Sequence, residues 1–137
     1  MSQQNGTAEL TDYYNLVMTQ GKLRTPQHAE RWSKATLRTL GLNLDRGTKK
    51  RISKELPEPL AFYLNRSFWL LHFRNDQLSS HDFCQAVGRR SGNTDPDFAR
   101  LPVRAVFAGM KQYLSNESKK KVADTLSPEV RELWQNA

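Results

Sequence analysis

The chain has 137 residues, 37% hydrophobic and 26% charged, with 21 Lys and Arg against 14 Asp and Glu for a net charge of +7. That length suits one domain with a core of its own, and the composition excludes collagen-like, mucin-like and disulfide-scaffold chains. The lone cysteine, Cys84, rules out an intramolecular disulfide and any cysteine-pair zinc or redox motif, while the positive balance favours acidic partners without specifying a reaction.

Met1 to Glu9 is polar and has neither the basic nor the apolar region of a secretory signal. The longest apolar stretch, Phe68-Trp69-Leu70-Leu71, is interrupted at His72 and Arg74, far short of the ~20 residues of a spanning helix. The expectation is a cytoplasmic protein without a membrane span. The first element is a short helix around Tyr13, Leu16 and Val17, spaced i, i+3, i+4. Thr25-Pro26 then sets an N-cap side chain before a proline whose missing N–H is harmless at the first helical position. That opens a helix with an apolar stripe at Trp32, Leu37, Leu40 and Leu44. Asp45 caps a shorter basic helix with Lys49, Lys50, Arg51 and Lys54 on its polar side and Ile52 and Leu56 on its apolar side. Leu56-Pro57-Glu58-Pro59-Leu60 restarts the chain into a turn of helix bearing Tyr63 and Leu64.

From residue 80 the same order returns. Residues 10–64 align without gaps to 80–134, with identities at Asp12/Asp82, Val17/Val87, Pro26/Pro96, Ala29/Ala99, Ala35/Ala105, Leu44/Leu114, Lys49/Lys119, Lys50/Lys120 and Leu56/Leu126. Residue class also matches where a core is expected, as in Tyr13/Phe83, Leu37/Phe107, Leu40/Met110 and Leu64/Trp134. The second copy has a helix around Phe83, Ala86 and Val87, ending in the turn Gly88-Arg89-Arg90-Ser91-Gly92-Asn93. A long helix follows from Asp95-Pro96 with its stripe at Val103, Val106, Phe107, Met110 and Leu114, and Pro102 should kink it or delay its start. Ser115 caps the basic helix of Lys119, Lys120 and Lys121, and Ser127 caps the last helix before Pro128. No segment shows strand alternation. The expected architecture is all-α: one domain, 1–137, of two ~55-residue repeats (10–64 and 80–134), each of about four helices, packed about a pseudo-twofold axis. An apolar helical segment, 65–79, joins them, with its break from Asn75 to Ser80.

This grammar resembles the bacterial family catalogued as domain of unknown function 2267. Its carriers are the aromatic helix at His81-Asp82-Phe83, the Ala-rich helix from Ala99 to Leu114, and above all the stretch Val122-Ala123-Asp124-Thr125-Leu126-Ser127-Pro128-Glu129-Val130-Arg131-Glu132-Leu133-Trp134. The resemblance covers residues 10–134 and implies an all-helical fold of two repeats. It brings no catalytic or ligand residues with it.

Candidate chemistry is sparse. His28, His72 and His81 lack the i, i+3 or i, i+4 spacing that sets two ligands on one helical face, so no metal or other cofactor is expected. Cys84 reads as a buried inert thiol rather than a nucleophile. Asp95 and Asp97 read as helix-start acids, and Gly109 as a point of close helix approach. The functional content lies in the basic residues: Lys49, Lys50, Arg51 and Lys54, their counterparts Lys119, Lys120 and Lys121, and Arg89 and Arg90. The first copy carries most of the excess, with ten Lys and Arg against five acids in 10–64 and nine against seven in 80–134. The reading is a non-enzymatic adaptor or regulatory protein that presents this basic surface to an acidic protein partner. The alternative is a weak, sequence-nonspecific nucleic-acid binder, disfavoured because the aromatics fall mostly on apolar stripes.

Overall fold

The structure, a computed structural model, describes residues 2–66 and 77–137, with side chains from Leu10 onward in the first stretch. The apolar segment Phe68 to Phe73, expected to extend a helix, lies outside the described residues. Every regular element among the described residues is a helix: α1 (Ser2–Gln20), α2 (Pro26–Asn43), α3 (Arg46–Glu55), α4 (Leu60–Leu64), α5 (Ser80–Arg90), α6 (Pro96–Lys111), α7 (Asn116–Thr125) and α8 (Pro128–Gln135). The fold is all-α, and no helix among the described residues is long and apolar enough to cross a membrane.

The helix starts follow local chemistry. Thr25 accepts the His28 N–H at 3.2 Å, Asp45 the Thr48 N–H at 2.7 Å, Asp95 the Asp97 N–H at 2.8 Å and Ser115 the Ser118 N–H at 3.1 Å, each satisfying a donor that has no intrahelical partner. Three starts differ from local expectation. The first helix reaches back through the polar residues to Ser2, well before Tyr13. The Ser127 hydroxyl makes no cap bond; it donates instead to the Leu78 carbonyl at 2.6 Å, tying the start of α8 to the strand of chain entering α5. Pro102 neither delays nor interrupts α6, which begins at Pro96 and runs to Lys111. The proline removes the donor for the Phe98 carbonyl, yet it sits on the buried side with Val103, Val106, Phe107 and Met110.

At the centre, α2 and α6 pack on each other; α1 and α5 each lie against both of them, α4 lies on α2, and α8 on α6. On one flank α3 packs on α4, α7 on α8, and α3 on α7. Replacing every helix by its counterpart four places along maps these pairs onto one another; α5 on α8 is an additional pair. Helix starts at Pro26 and Pro96, and at Arg46 and Asn116, stand 70 residues apart in each case. The core contains Tyr13, Leu37, Leu40, Phe83, Phe107 and Trp134, all essentially buried. Phe107 lies between Phe83 and Trp134, with ring centroids 5.8 and 5.2 Å away, at the separations aromatic pairs favour. Tyr13 reaches the core with a polar tip, and Ser33 satisfies it: the Ser33 hydroxyl donates to the Ala29 carbonyl at 2.7 Å and accepts from the Tyr13 hydroxyl at 2.7 Å. Gly109 makes room for that ring, since a Cβ there would stand 2.5 Å from Tyr13 Cε2.

Candidate functional site

The nine basic residues singled out in the sequence fall into four places. Along the outer side of α3, Arg46, Lys49, Lys50 and Lys54 line a shallow groove of about 390 Å³ completed by Ser53 and by Asn65 at the end of α4. No carboxylate is among the residues that line it. Its floor is fixed by hydrogen bonds: Asn65 Nδ2 donates to Ser53 Oγ at 2.9 Å and to the Ala61 carbonyl at 2.9 Å, and Ser53 Oγ donates to the Lys49 carbonyl at 2.7 Å. Lys50 and Lys54 are exposed, whereas Lys49 is partly buried. Desolvation, and the neighbouring Arg46 guanidinium, hold the Lys49 ammonium below the usual lysine range. Like charges have been crowded here without an acid in the groove to balance them.

A second groove, of about 520 Å³, lies on the outer side of α7 and is lined by Lys119, Lys120, Ala123, Asp124 and Gln135, with Lys111 and Trp134. Five of these stand 70 residues beyond Lys49, Lys50, Ser53, Lys54 and Asn65. The chemistry is weaker, because Asp124 replaces Lys54. Lys111 is also committed to the protein: its ammonium donates to the Trp134 and Ala137 carbonyls and lies 5.1 Å from the Trp134 ring centroid. Burial, with Lys119 nearby, lowers its pKa.

Arg51 and Lys121 belong instead to the junction of α3 and α7. Arg51 Nε donates to Ser118 Oγ at 2.8 Å and its Nη2 lies 3.0 Å from Glu117 Oε2. Glu55 completes this closed side, accepting the Ser115 N–H at 2.6 Å and the Ser118 hydroxyl. The other side is an open cleft of about 590 Å³ lined by Asp45, Gly47, Thr48, Arg51, Lys121, Asp124 and Thr125. Gly47 and Thr125 stand where Glu117 and Glu55 stand on the closed side, so the two acids that close one junction are missing from the other. Two cations and two carboxylates share this cleft, so its charge favours neither sign of ligand.

Arg89 and Arg90 lie apart from all of this, in the last turn of α5. Arg89 is exposed. Arg90 bridges to α2, donating to Thr39 Oγ1 at 3.2 Å and to the Ala86 carbonyl at 3.4 Å; burial, with Arg38 nearby, lowers its pKa. Cys84 is buried, and desolvation pushes its thiol up to about 11, Asp97 adding to that effect and Arg100 opposing it. His28 and His81 lie at the starts of α2 and α5.

The sequence did not reveal three exposed apolar side chains: Phe62 (53% exposed), Phe98 (76%) and Leu101 (38%). Phe62 is the one near a groove, on α4 three residues before Asn65, whose N–H bonds to the Phe62 carbonyl at 3.2 Å. The Arg66 guanidinium lies 5.5 Å from the Phe62 ring centroid, and the Tyr63 ring meets it edge-on at 6.3 Å.

A protein-family model described as "Uncharacterized conserved protein (DUF2267)" matches residues 11–133. No curated protein matches the chain.

Proposed function

The chain belongs to the DUF2267 family, and on that footing we propose that it is a non-enzymatic adaptor or regulatory protein whose basic helical surface receives an acidic protein partner. The observation that carries this reading is the groove of α3, where four cations line one depression and no lining residue offsets them. An acidic surface docking there relieves the repulsion between Arg46 and Lys49 and gains charge-assisted hydrogen bonds to the exposed Lys50 and Lys54.

The same reading takes the bundle as a duplication, two repeats of four helices about a pseudo-twofold axis that passes between α2 and α6 and between α3 and α7. Support comes from the recurrence of helix starts at a spacing of 70, from the packing pairs that exchange with one another, and from the two grooves built on equivalent residues. The repeats have diverged in charge, and the first keeps the cationic groove.

A second reading, a sequence-nonspecific nucleic-acid binder, draws on the exposed Phe62 ring beside that groove, since bases stack on such rings. One experiment separates the two. Protein immobilised from the wild type and from the double variant Lys50→Glu/Lys54→Glu is exposed to bacterial lysate with and without nuclease, at low and moderate salt. Retention of acidic proteins that survives nuclease and disappears with the double variant is the expected result. Retention that vanishes with nuclease and falls log-linearly with salt assigns the surface to phosphate backbones. Retention unchanged in the double variant removes the groove from the function.

A further inference from the structure

Resting on the acidic-partner reading, we infer that the α3 groove and Phe62 form one composite site, and that its ligand is an amphipathic acidic helix carrying an apolar side chain that seats on the Phe62 ring.

The cations determine the shape of the ligand. Arg46, Lys49, Lys50 and Lys54 follow i, i+3, i+4, i+8 spacing along one face of α3, so the charged stripe runs about 12 Å down the helix axis. A second helix laid along it has the same rise, and its own i, i+4, i+8 positions meet the stripe at successive turns of about 5.4 Å. Carboxylates at those positions reach the lysines in register. Ser53 and Asn65, whose amide and hydroxyl donors are engaged with one another and with backbone carbonyls, form a neutral floor between the charged rims.

Phe62 adds the apolar component. It lies three residues from Asn65, hence on the same side of the chain as that end of the groove, and half of a large ring faces solvent. A lone exposed aromatic is ordinary, but one continuous with an uncompensated cationic groove offers an acidic ligand an anchor that charge alone does not. Arg66 already lies over this ring, and Tyr63 meets its edge. These neighbours leave less ring face for a stacking base, while an aliphatic side chain needs only contact area. The second groove lacks this combination: Glu132 stands where Phe62 stands and Asp124 where Lys54 stands, so an acidic ligand meets repulsion there.

The test uses the full chain and two fluorescein-labelled helical peptides, both with Glu at i, i+4, i+8, one with leucines on the adjacent stripe and one with alanines there. Binding is read by anisotropy at low and moderate salt. The expected result is that the leucine peptide binds about tenfold more tightly, that Phe62→Ala abolishes this preference, and that Phe62→Leu restores most of it. Lys50→Glu/Lys54→Glu weakens both peptides by about tenfold or more. If Phe62→Ala binds both peptides as the wild type does while the lysine variant still loses them, the composite site is wrong and the acidic-partner reading stands. If the lysine variant loses neither peptide, that reading falls as well. Displacement of both peptides by oligothymidylate, at lower concentration and with a steep salt dependence, overturns both in favour of nucleic acid. Phe62 is exposed, so its variants should retain the wild-type circular dichroism and melting temperature, which are measured alongside.

Discussion

The carboxylate of Glu55 accepts the backbone N–H of Ser115 at 2.6 Å, so the last residue of α3 caps the first turn of α7. A negative charge at a helix C-terminus works against the helix dipole, and here the same carboxylate gains the N-terminus of the neighbouring helix, the Ser118 hydroxyl and the proximity of Arg51.

Replacing Glu55 with Gln therefore destabilises the protein by about 1 kcal/mol at neutral pH, the usual size of a lost cap. Burial opposes ionisation of Glu55, but hydrogen bonds from Ser118 and Ser115, aided by Arg51, outweigh it and hold the carboxyl below its ordinary value. A depressed folded value means the extra stability is complete above the unfolded carboxyl's range and is lost as pH falls through the folded value. Melting temperatures of wild type and variant should differ at neutral pH and converge in acid; a gap that widens toward low pH contradicts the assignment.

Gly109→Ala should destabilise despite the better helix propensity of alanine. The substitution gains about 1 kcal/mol of propensity, but its Cβ would meet Tyr13 Cε2 at 2.5 Å and Cδ2 at 2.7 Å. Tyr13 is enclosed and hydrogen-bonded to Ser33, so it cannot swing aside without breaking that bond, and overpacking of this kind costs about 1–3 kcal/mol. Urea unfolding gives the sign directly: a raised midpoint would mean the ring yields freely.

At the end of α1 the opposite change is favourable. Lys22 sits at φ 54°, in the left-handed region, while Gly92, 70 residues on, has φ 112°. Lys22→Gly removes the side-chain strain, which more than offsets the added freedom of the unfolded chain, for a net gain of roughly 0.5 kcal/mol. The check is a small upward shift in melting temperature with the same unfolding cooperativity.

The Cys84 thiol should resist alkylation in the native protein. It is enclosed by the core and its pKa is pushed up to about 11 by burial, which leaves little thiolate at neutral pH. Reaction with Ellman's reagent should be slow and accelerate through the denaturant transition. A rapid native reaction would show that the site opens locally.

Salt should stabilise the isolated protein. With a net charge of +7 and Arg46 crowding Lys49, screening weakens repulsion more than attraction, so the melting temperature rises between about 20 mM and 300 mM NaCl. Lys50→Glu/Lys54→Glu should melt no lower than wild type, and its salt dependence should be shallower. A variant that melts well below wild type would show that these lysines hold the fold together.

The helix starts were legible because they are local: Thr25-Pro26, Asp95-Pro96, Asp45 and Ser115 announce a cap within three residues, and the structure places helices behind each. The buried stripes of Leu37, Leu40 and Leu44 and of Val106, Phe107 and Met110 were legible for the same reason, since periodicity is a local property. What the sequence concealed is non-local. Nothing near Glu55 signals Ser115, 60 residues away; nothing near Arg90 signals Thr39. The basic run therefore read as one surface, whereas Arg51 turns into the α3–α7 junction and Arg90 toward α2. Phe62 was concealed by its neighbours: it lies between the buried Ala61 and Tyr63 on a five-residue helix, too short for periodicity to separate an inner face from an outer one.

The hydrogen bonds beneath the α3 groove also bear on the thermodynamics of association. Asn65, Ser53 and the Lys49 carbonyl form a continuous chain of donors and acceptors, so the concavity exists before anything occupies it. A ligand then freezes only the lysine side chains of the rim, at about 0.5–1.5 kcal/mol each, and no backbone has to be ordered on arrival. Asn65→Ala would leave every cation in place and still weaken binding, through lost entropy rather than lost charge.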